Sequence, residues 1–565
     1  MDRKERWENM DRRGFLRETG RLAMMAAGAA IAGTFPVREV EASPVFSDYP
    51  FSLGVASGDP LPDGVVLWTR LAPDPLNGGG MPARDVPVQW EVAKDRNFTN
   101  IVRRGTELAR YDLAHSVHVE VEGLEPGREY YYRFRAGSEV SPEGRTKTAP
   151  GRGAALETFT FAFASCQQYE HGYYTAYRHM ARENLDLVVH LGDYIYEYGP
   201  DEYVSKTGNV RHHNSPEILT LEDYRNRHAQ YRSDKDLQAA HAAFPWVVTW
   251  DDHEVENNYA DHIPEKGQDP EAFIRRRAAA YQAYYEHMPL RRSSLPKGPD
   301  LKLYRRLTFG NLVQFHVLDT RQYRDDQANG DGFKAPNEES LDPNRTLLGK
   351  EQEAWLFDGL RNSPARWNVL AQQIFFAELD IQTGPGKLLN MDAWDGYAAS
   401  RNRLLELFGE GSVSNPVVIT GDVHASWAND LKADFDNPES PIVGSEFVGT
   451  SITSGGNGSD IRAETPVLLE ENPHIRFFND YRGYVRCTLT PDRWQTDYRV
   501  VPYVNQPGAP IYTRASFLVE NGKPGMKQTG DHPIPGGEAQ TSEVEKDRLK
   551  AQDRAHERQK AKVTR

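Results

Sequence analysis

Leu187-Val188-Val189-His190-Leu191-Gly192-Asp193-Tyr194-Ile195-Tyr196 carries the pattern that sets the fold class. Its first five positions are almost continuously apolar, with two β-branched valines at the centre. That pattern predicts a strand buried on both faces, as in parallel sheets covered by helices. Gly192 then breaks the run, and the chain enters a polar loop with a carboxylate and a phenol.

Working outward, the same scheme recurs. The run 159–165, Phe-Thr-Phe-Ala-Phe-Ala-Ser, leads to Cys166. The run 246–250, Trp-Val-Val-Thr-Trp, leads to Asp251-Asp252-His253-Glu254, with Asn257 and Asn258 beyond. The run 416–420, Pro-Val-Val-Ile-Thr, leads to Gly421-Asp422-Val423-His424. Further strands are expected at 315–318 and 367–371, and helices at 173–183, 274–288, 350–361 and 400–409. Apolar strands separated by helical patterns specify an α/β domain. Ligands in open α/β sheets bind at the carboxyl ends of strands, where these loops lie.

One Asp-His pair after a strand is explained by capping or by a satisfied core histidine. Four loops that each carry metal-ligand residue types are not, and they are expected to form one metal site. Thiolate, phenolate and imidazole suit a transition metal; carboxylate and amide oxygens suit a hard ion such as calcium. Two close metal ions neutralise phosphoryl oxygens and activate a water, and a carboxylate such as Asp193 can bridge them.

Residues 43–150 read as all-β. Short strands at 65–68, 88–92, 118–121 and 130–135 are separated by turns such as Gly123-Leu124-Glu125-Pro126-Gly127. The pattern is that of a small fibronectin- or immunoglobulin-like sandwich. Residues 1–42 read as an export signal, with Arg12-Arg13-Gly14-Phe15-Leu16 ahead of a short apolar run. The paired arginines resemble a twin-arginine signal, which implies the twin-arginine export machinery as a partner and a periplasmic or secreted destination. No stretch reaches the length of a membrane helix, so no transmembrane anchor is expected in the mature chain. Residues 529–565 read as a charged tail, disordered or loosely helical. The formal charge of −15 argues against a nucleic-acid-binding domain, because phosphate backbones select basic surfaces. The mature protein is expected to be a monomer.

The order Ser165-Cys166-Gln167, Gly192-Asp193-Tyr194-Ile195-Tyr196, Trp250-Asp251-Asp252-His253-Glu254, Leu318-Asp319-Thr320-Arg321 and Gly421-Asp422-Val423-His424 resembles the PhoD-type alkaline phosphatases and phosphodiesterases. These are calcineurin-like metallophosphoesterases related to purple acid phosphatases. The resemblance covers nearly the whole mature chain. It implies a four-layer α/β/β/α catalytic domain over 151–528, preceded by the sandwich. It also implies hydrolysis of phosphate mono- and diesters at alkaline pH, by direct attack of a metal-held hydroxide without a phosphoenzyme. The implied cofactors are one ferric ion and one or two calcium ions, with zinc or manganese as the alternative. Cys166, Asp193, Tyr196 and His424 are assigned mainly to iron, with Asp193 bridging; Asp252, Asp422 and Asn258 are assigned to calcium. Where purple phosphatases have Asp, Asn and two His, this chain has Cys166, Asp252, Asp422 and, at the matching strand end, Gln373. Trading imidazole for oxygen ligands is the direction expected if the second site holds calcium.

His253 is a candidate to contact phosphate or to protonate the leaving group; the competing reading is a buried, hydrogen-bonded histidine. Arg321 is a candidate for a bidentate phosphate contact, or else a surface ion pair with Asp319 or Asp325. Cys166 is read as a thiolate ligand against a disulfide with Cys487. Tyr169, Tyr173 and Tyr194 either line the cleft or pack. Two other functions compete: a dedicated phosphodiesterase or phospholipase D-like enzyme using the same site, and a non-catalytic exported binding protein.

Overall fold

The computed structural model describes residues 45–265 and 267–534. The leader reading over 1–42 and most of the charged tail therefore lie outside the described residues. Strand Lys523–Asp531 crosses the expected start of that tail.

Two sheets form the centre. A seven-stranded sheet carries Val313–Val317, Trp367–Ala371, Pro416–Thr420 and Ile442–Val448 in parallel. A ten-stranded sheet carries Phe159–Ala164, Leu187–His190 and Pro245–Val248 in parallel at its middle. These strands are buried throughout or nearly so, which is why they read as apolar runs rather than alternations. Phe161, Phe163, Val189, Phe315, Val369, Ile419 and Phe447 fill the space between the sheets.

Helices cover the outer faces. Thr175–Met180, Leu221–Arg232, Lys235–Ala243 and Pro270–His287 contribute Tyr177, Tyr224, Tyr231, Leu237, Tyr281 and Tyr284 to the core over the ten-stranded sheet. Gly349–Arg361 and Ala398–Gly409 place Leu356, Leu360, Leu404, Leu405 and Phe408 over the other. The layers are α/β/β/α, as expected. The helix expected over 173–183 is only Thr175–Met180, because after Ala181 the i→i−4 bonds give way to tighter i→i−3 turns, Arg182 N–H on the His179 carbonyl and Glu183 N–H on the Met180 carbonyl.

The N-terminal region is all-β but is not a separate sandwich. Val86–Ala93, Ile101–Ala109, Glu129–Ala136, Glu139–Val140 and Gly144–Lys147 make one sheet. The opposing strands Val55–Leu61, Gly64–Arg70 and Ser116–Val121 continue the catalytic sheet, Val55–Leu61 pairing with Pro245–Val248. Val55, Val65, Leu67, Val117 and Val119 pack against Val88, Val92, Tyr130 and Tyr132.

Candidate active site

Parallel strands of both sheets end on one side, and their loops must turn sharply there. Gly192 has φ 110°, and a Cβ on it would meet Asp251 N at 2.6 Å and Asp251 Cβ at 2.5 Å. Of the fourteen side-chain-bearing residues with positive φ among the described residues, five lie on these loops: Cys166 (58°), Asp193 (54°), Asn258 (49°), Asp422 (63°) and His424 (53°). That conformation costs about 1–3 kcal/mol per residue and clusters at functional sites. All five are residues the sequence marks as ligand candidates.

Cys166 Sγ, a carboxylate oxygen of Asp193 and a ring nitrogen of His424 lie within 4.8 Å of one another. Tyr196 joins them, its Oη 2.8 Å from Asp193 Oδ2 and 3.2 Å from His424 Nε2. Ser454 Oγ lies 2.8 Å from the same phenol oxygen and donates to the Cys166 carbonyl. Cys166 is not in a disulfide; Cys487 is a separate buried thiol in strand Arg482–Leu489.

Asp193 also belongs to a second group, with Asp252 and His253, again within 4.8 Å. Asn258 N–H donates to Asp252 Oδ2 at 2.7 Å, which places Asn258 beside this group. Asp193 Oδ1 and Asp252 Oδ1 are buried and accept no hydrogen bond. Asp422 is less enclosed and lies outside both tight groups, but its carboxylate is felt by Cys166.

Two residues to which the sequence reading assigned no role organise these loops. Glu254 accepts from the backbone N–H groups of Asp193 (3.1 Å), Tyr194 (2.6 Å) and Asp251 (2.9 Å), tying two ligand loops together. Glu197 Oε2 lies 2.8 Å from His253 Nδ1, and its Oε1 accepts from Asn257 N at 2.8 Å. Buried Glu197 thus accepts a hydrogen bond from Nδ1–H and leaves Nε2 as the free end of the ring. His253 also stacks on Tyr196, with centroids 4.3 Å apart. Only its adjacency to Tyr196 could have flagged Glu197 in the sequence.

Arg321 corrects its expectation in both forms. It is fully buried, its Nε on Asp251 (2.5 Å) and Nη1 on Asp392 (2.8 Å), so no open fork remains for a bidentate phosphate contact. Nor is it a surface ion pair, since Asp319 accepts only its backbone N–H. It is an internal countercharge, with Nη2 3.8 Å from Asp252. Gln373 is likewise spent, donating to Thr249 Oγ1 and the Leu318 carbonyl and accepting from Thr320. Tyr194 packs, its hydroxyl held by His241 and Arg232, while Tyr169 and Tyr173 face the Arg211 guanidinium.

Comparison with known proteins identifies the family. The description "PhoD-like phosphatase" matches residues 161–498, and "PhoD-like phosphatase, N-terminal domain" matches 38–150. The chain belongs to the PhoD-like phosphatase family. It is 65% identical to alkaline phosphatase D of Bacillus subtilis over 558 residues, 98% of this chain and 96% of that protein. A solved structure titled "Structure of PhoD" is 67% identical, covers 92% of this chain and 100% of its own, and superposes with a TM-score of 0.89. The purple acid phosphatase PPD1 from yellow lupin is 13% identical, over 85% of this chain and 75% of that one, with a TM-score of 0.50. That likeness concerns the fold alone.

The donors of this PhoD-like phosphatase fit cations. Burial, then the Asp193 charge, pushes the Cys166 thiol well up. Burial, then neighbouring carboxylates, also raises Asp193 and Asp422 against the lowering effect of His253 and Arg321. For His253, burial opposes protonation, but Asp252, Glu197 and Asp193 outweigh it and raise its pKa. Acceptors crowded this closely and left without donors need positive charge. Cys166, Tyr196 and His424 with Asp193 offer soft and aromatic donors; Asp252 and Asn258 with Asp193 offer oxygens only.

Proposed function

We propose that this phosphoric ester hydrolase is an exported alkaline phosphatase that cleaves phosphate mono- and diesters at a mixed site, with iron on the Cys166 side and calcium on the Asp252 side. The observation that carries the reading is Asp193, whose carboxylate belongs to both donor groups while its Oδ1 is left unpartnered. Cys166, Tyr196 and His424 would hold iron. Asp252, Asn258 and Asp422 would hold one or two calcium ions. When bound, the cations would supply charge for the phosphoryl oxygens and lower the pKa of the attacking water.

The chain's own residues handle the rest. Glu197 orients His253 so that Nε2 can pass a proton to the leaving oxygen as its bond to phosphorus breaks. The proton lost by the water as the new P–O bond forms returns the ring to its protonated form. Arg321 and Glu254 stay out of the cleft and hold Asp251, Asp252 and the Asp193 turn in place. The twin-arginine pattern at Arg12-Arg13 supports export, which an exported form starting near residue 43 would verify.

The test is turnover of p-nitrophenyl phosphate and bis-p-nitrophenyl phosphate at alkaline pH. Both should be cleaved, and Asp193→Asn should cost more than about 100-fold in kcat/KM, the upper range for losing a mere supporting group. Cleavage of the diester alone would replace this reading with a dedicated phosphodiesterase. Phosphate binding without turnover would leave only a binding protein.

A further inference from the structure

The loop Gln327-Ala328-Asn329-Gly330-Asp331-Gly332 lies outside every motif discussed above. It reaches the site all the same. Gln327 Nε2 donates to the Asn258 carbonyl at 2.7 Å and to Asp392 Oδ1 at 2.7 Å. Asp331 Oδ2 accepts from Asn258 Nδ2 at 2.9 Å. The loop is anchored behind by the pairing of Phe333–Lys334 with Leu389–Asn390 and by Met391 N–H on the Gly332 carbonyl. Ala328, Leu389 and Met391 pack beneath it.

Its backbone is unusual. Asn329, Gly330, Asp331 and Gly332 all have positive φ, at 58°, 78°, 66° and 72°. Asp331 combines φ 66° with ψ 169°, a region essentially reserved to glycine. An aspartate is therefore held, between two glycines, where a third glycine would be unstrained. A side chain kept at that cost calls for a use.

The use follows from the chemistry of an amide. Asn258 can bind a hard cation only through Oδ1, yet its two ends are nearly the same size, so packing alone does not choose between them. An ionised carboxylate only accepts hydrogen bonds. Placed against Asn258 it selects the NH2 end and leaves Oδ1 on the other arm. The backbone of the same residue is fixed twice, by Asp252 on its N–H and by Gln327 on its carbonyl.

The geometry points to Asp331 as a positioning residue that presents the Asn258 amide oxygen, not its nitrogen, to a calcium-class cation beside Asp252. This inference rests on the reading of Asn258 as a ligand, so its test must separate the two. Calcium binding is measured by titration calorimetry on protein dialysed against a calcium chelator, for wild type, Asn258→Ala, Asp331→Gly, Asp331→Asn and the double variant Asn258→Ala/Asp331→Gly. The thermal midpoint of each dialysed protein is recorded alongside.

Asp331→Gly should weaken calcium binding about 10- to 100-fold, the range for lost supporting partners of ligands. The same dialysed variant should melt no lower than wild type, because the strained φ/ψ is relieved; a merely structural residue would lower the melt. Asp331→Asn, whose side-chain oxygen still accepts, should lose less. In the Asn258→Ala background the Asp331→Gly change should alter affinity by less than about twofold, since the two act as one unit. Unchanged affinity in Asp331→Gly, with a weakened Asn258→Ala, would overturn the positioning role alone. A further loss in the double variant would make Asp331 a ligand in its own right. Unchanged affinity in Asn258→Ala would remove the ligand reading and this inference with it.

Discussion

His253 shows how far one side chain depends on its neighbours. Its ring is clamped between Tyr196 and the Glu197 carboxylate, and Asp252 and Asp193 stand close by. In that company a neutral imidazole is disfavoured, and a cation bound to the two aspartates would relieve much of the pull. A histidine poised this way serves as a general acid, and that role has a kinetic signature. His253→Ala should slow alkyl phosphate hydrolysis by about 10²- to 10⁴-fold. It should slow p-nitrophenyl phosphate far less, because that leaving group departs without a proton. Glu197→Gln should show the same pattern at about 10- to 100-fold. Equal losses on both substrates would show that His253 only binds phosphate.

At the scale of elements, each ligand loop is short because the strand before it ends in a forced turn. Gly192 is where this is tightest, with a Cβ clashing against the backbone of Trp250 and Asp251. Gly192→Ala should therefore push the Asp193 and Asp251 loops apart and cost about 1–3 kcal/mol of stability. It should also reduce bound metal, which elemental analysis reads directly; full metal content in a folded Gly192→Ala protein would contradict the coupling of these two loops. The strands and the candidate ligand residues after them were legible, because burial on both faces writes an apolar run and the loop residues follow at once. What sequence distance hides was not legible. Arg321 follows a strand as a phosphate-binding arginine would, but its partners Asp251 and Asp392 lie 70 and 71 positions away. Asp331 meets Asn258 across 73 positions, and Glu254 closes a loop 61 positions back. No local pattern announces such contacts. The sandwich was legible as β but not as part of the catalytic sheet, since strand pairing between Val55–Leu61 and Pro245–Val248 leaves no trace in either segment.

Across the whole molecule, two sheets pack face to face and gather loops from both at one end. No helix among the described residues is long and apolar enough to cross a membrane. The large core also buries histidines far from the site, and these set its response to acid. His474, whose Nε2 lies 2.7 Å from the Glu378 carbonyl, is lowered to about 4, first by burial and then by Arg401, Lys432 and Lys387 against the raising effect of that carbonyl. The unfolded chain takes up this proton near pH ~6.5 while the fold resists it. The contribution of neutral His474 is thus full above about pH 6.5 and is lost as pH falls through about 4. Relative to His474→Gln, the wild-type protein should lose up to about 1.4 kcal/mol per pH unit across that window. Parallel urea-unfolding profiles of the two proteins from pH 7 to 4 would contradict it.

Whether Asp193 joins an iron site to a calcium site is read from metal content and a visible spectrum of the purified protein, alongside Tyr196→Phe and Asp193→Asn. Iron together with calcium is expected in the wild type, with a tyrosinate charge-transfer band that disappears in Tyr196→Phe. Loss of both metals is expected in Asp193→Asn. Active wild-type protein with no bound metal, or Asp193→Asn that keeps both metals in full, would contradict it.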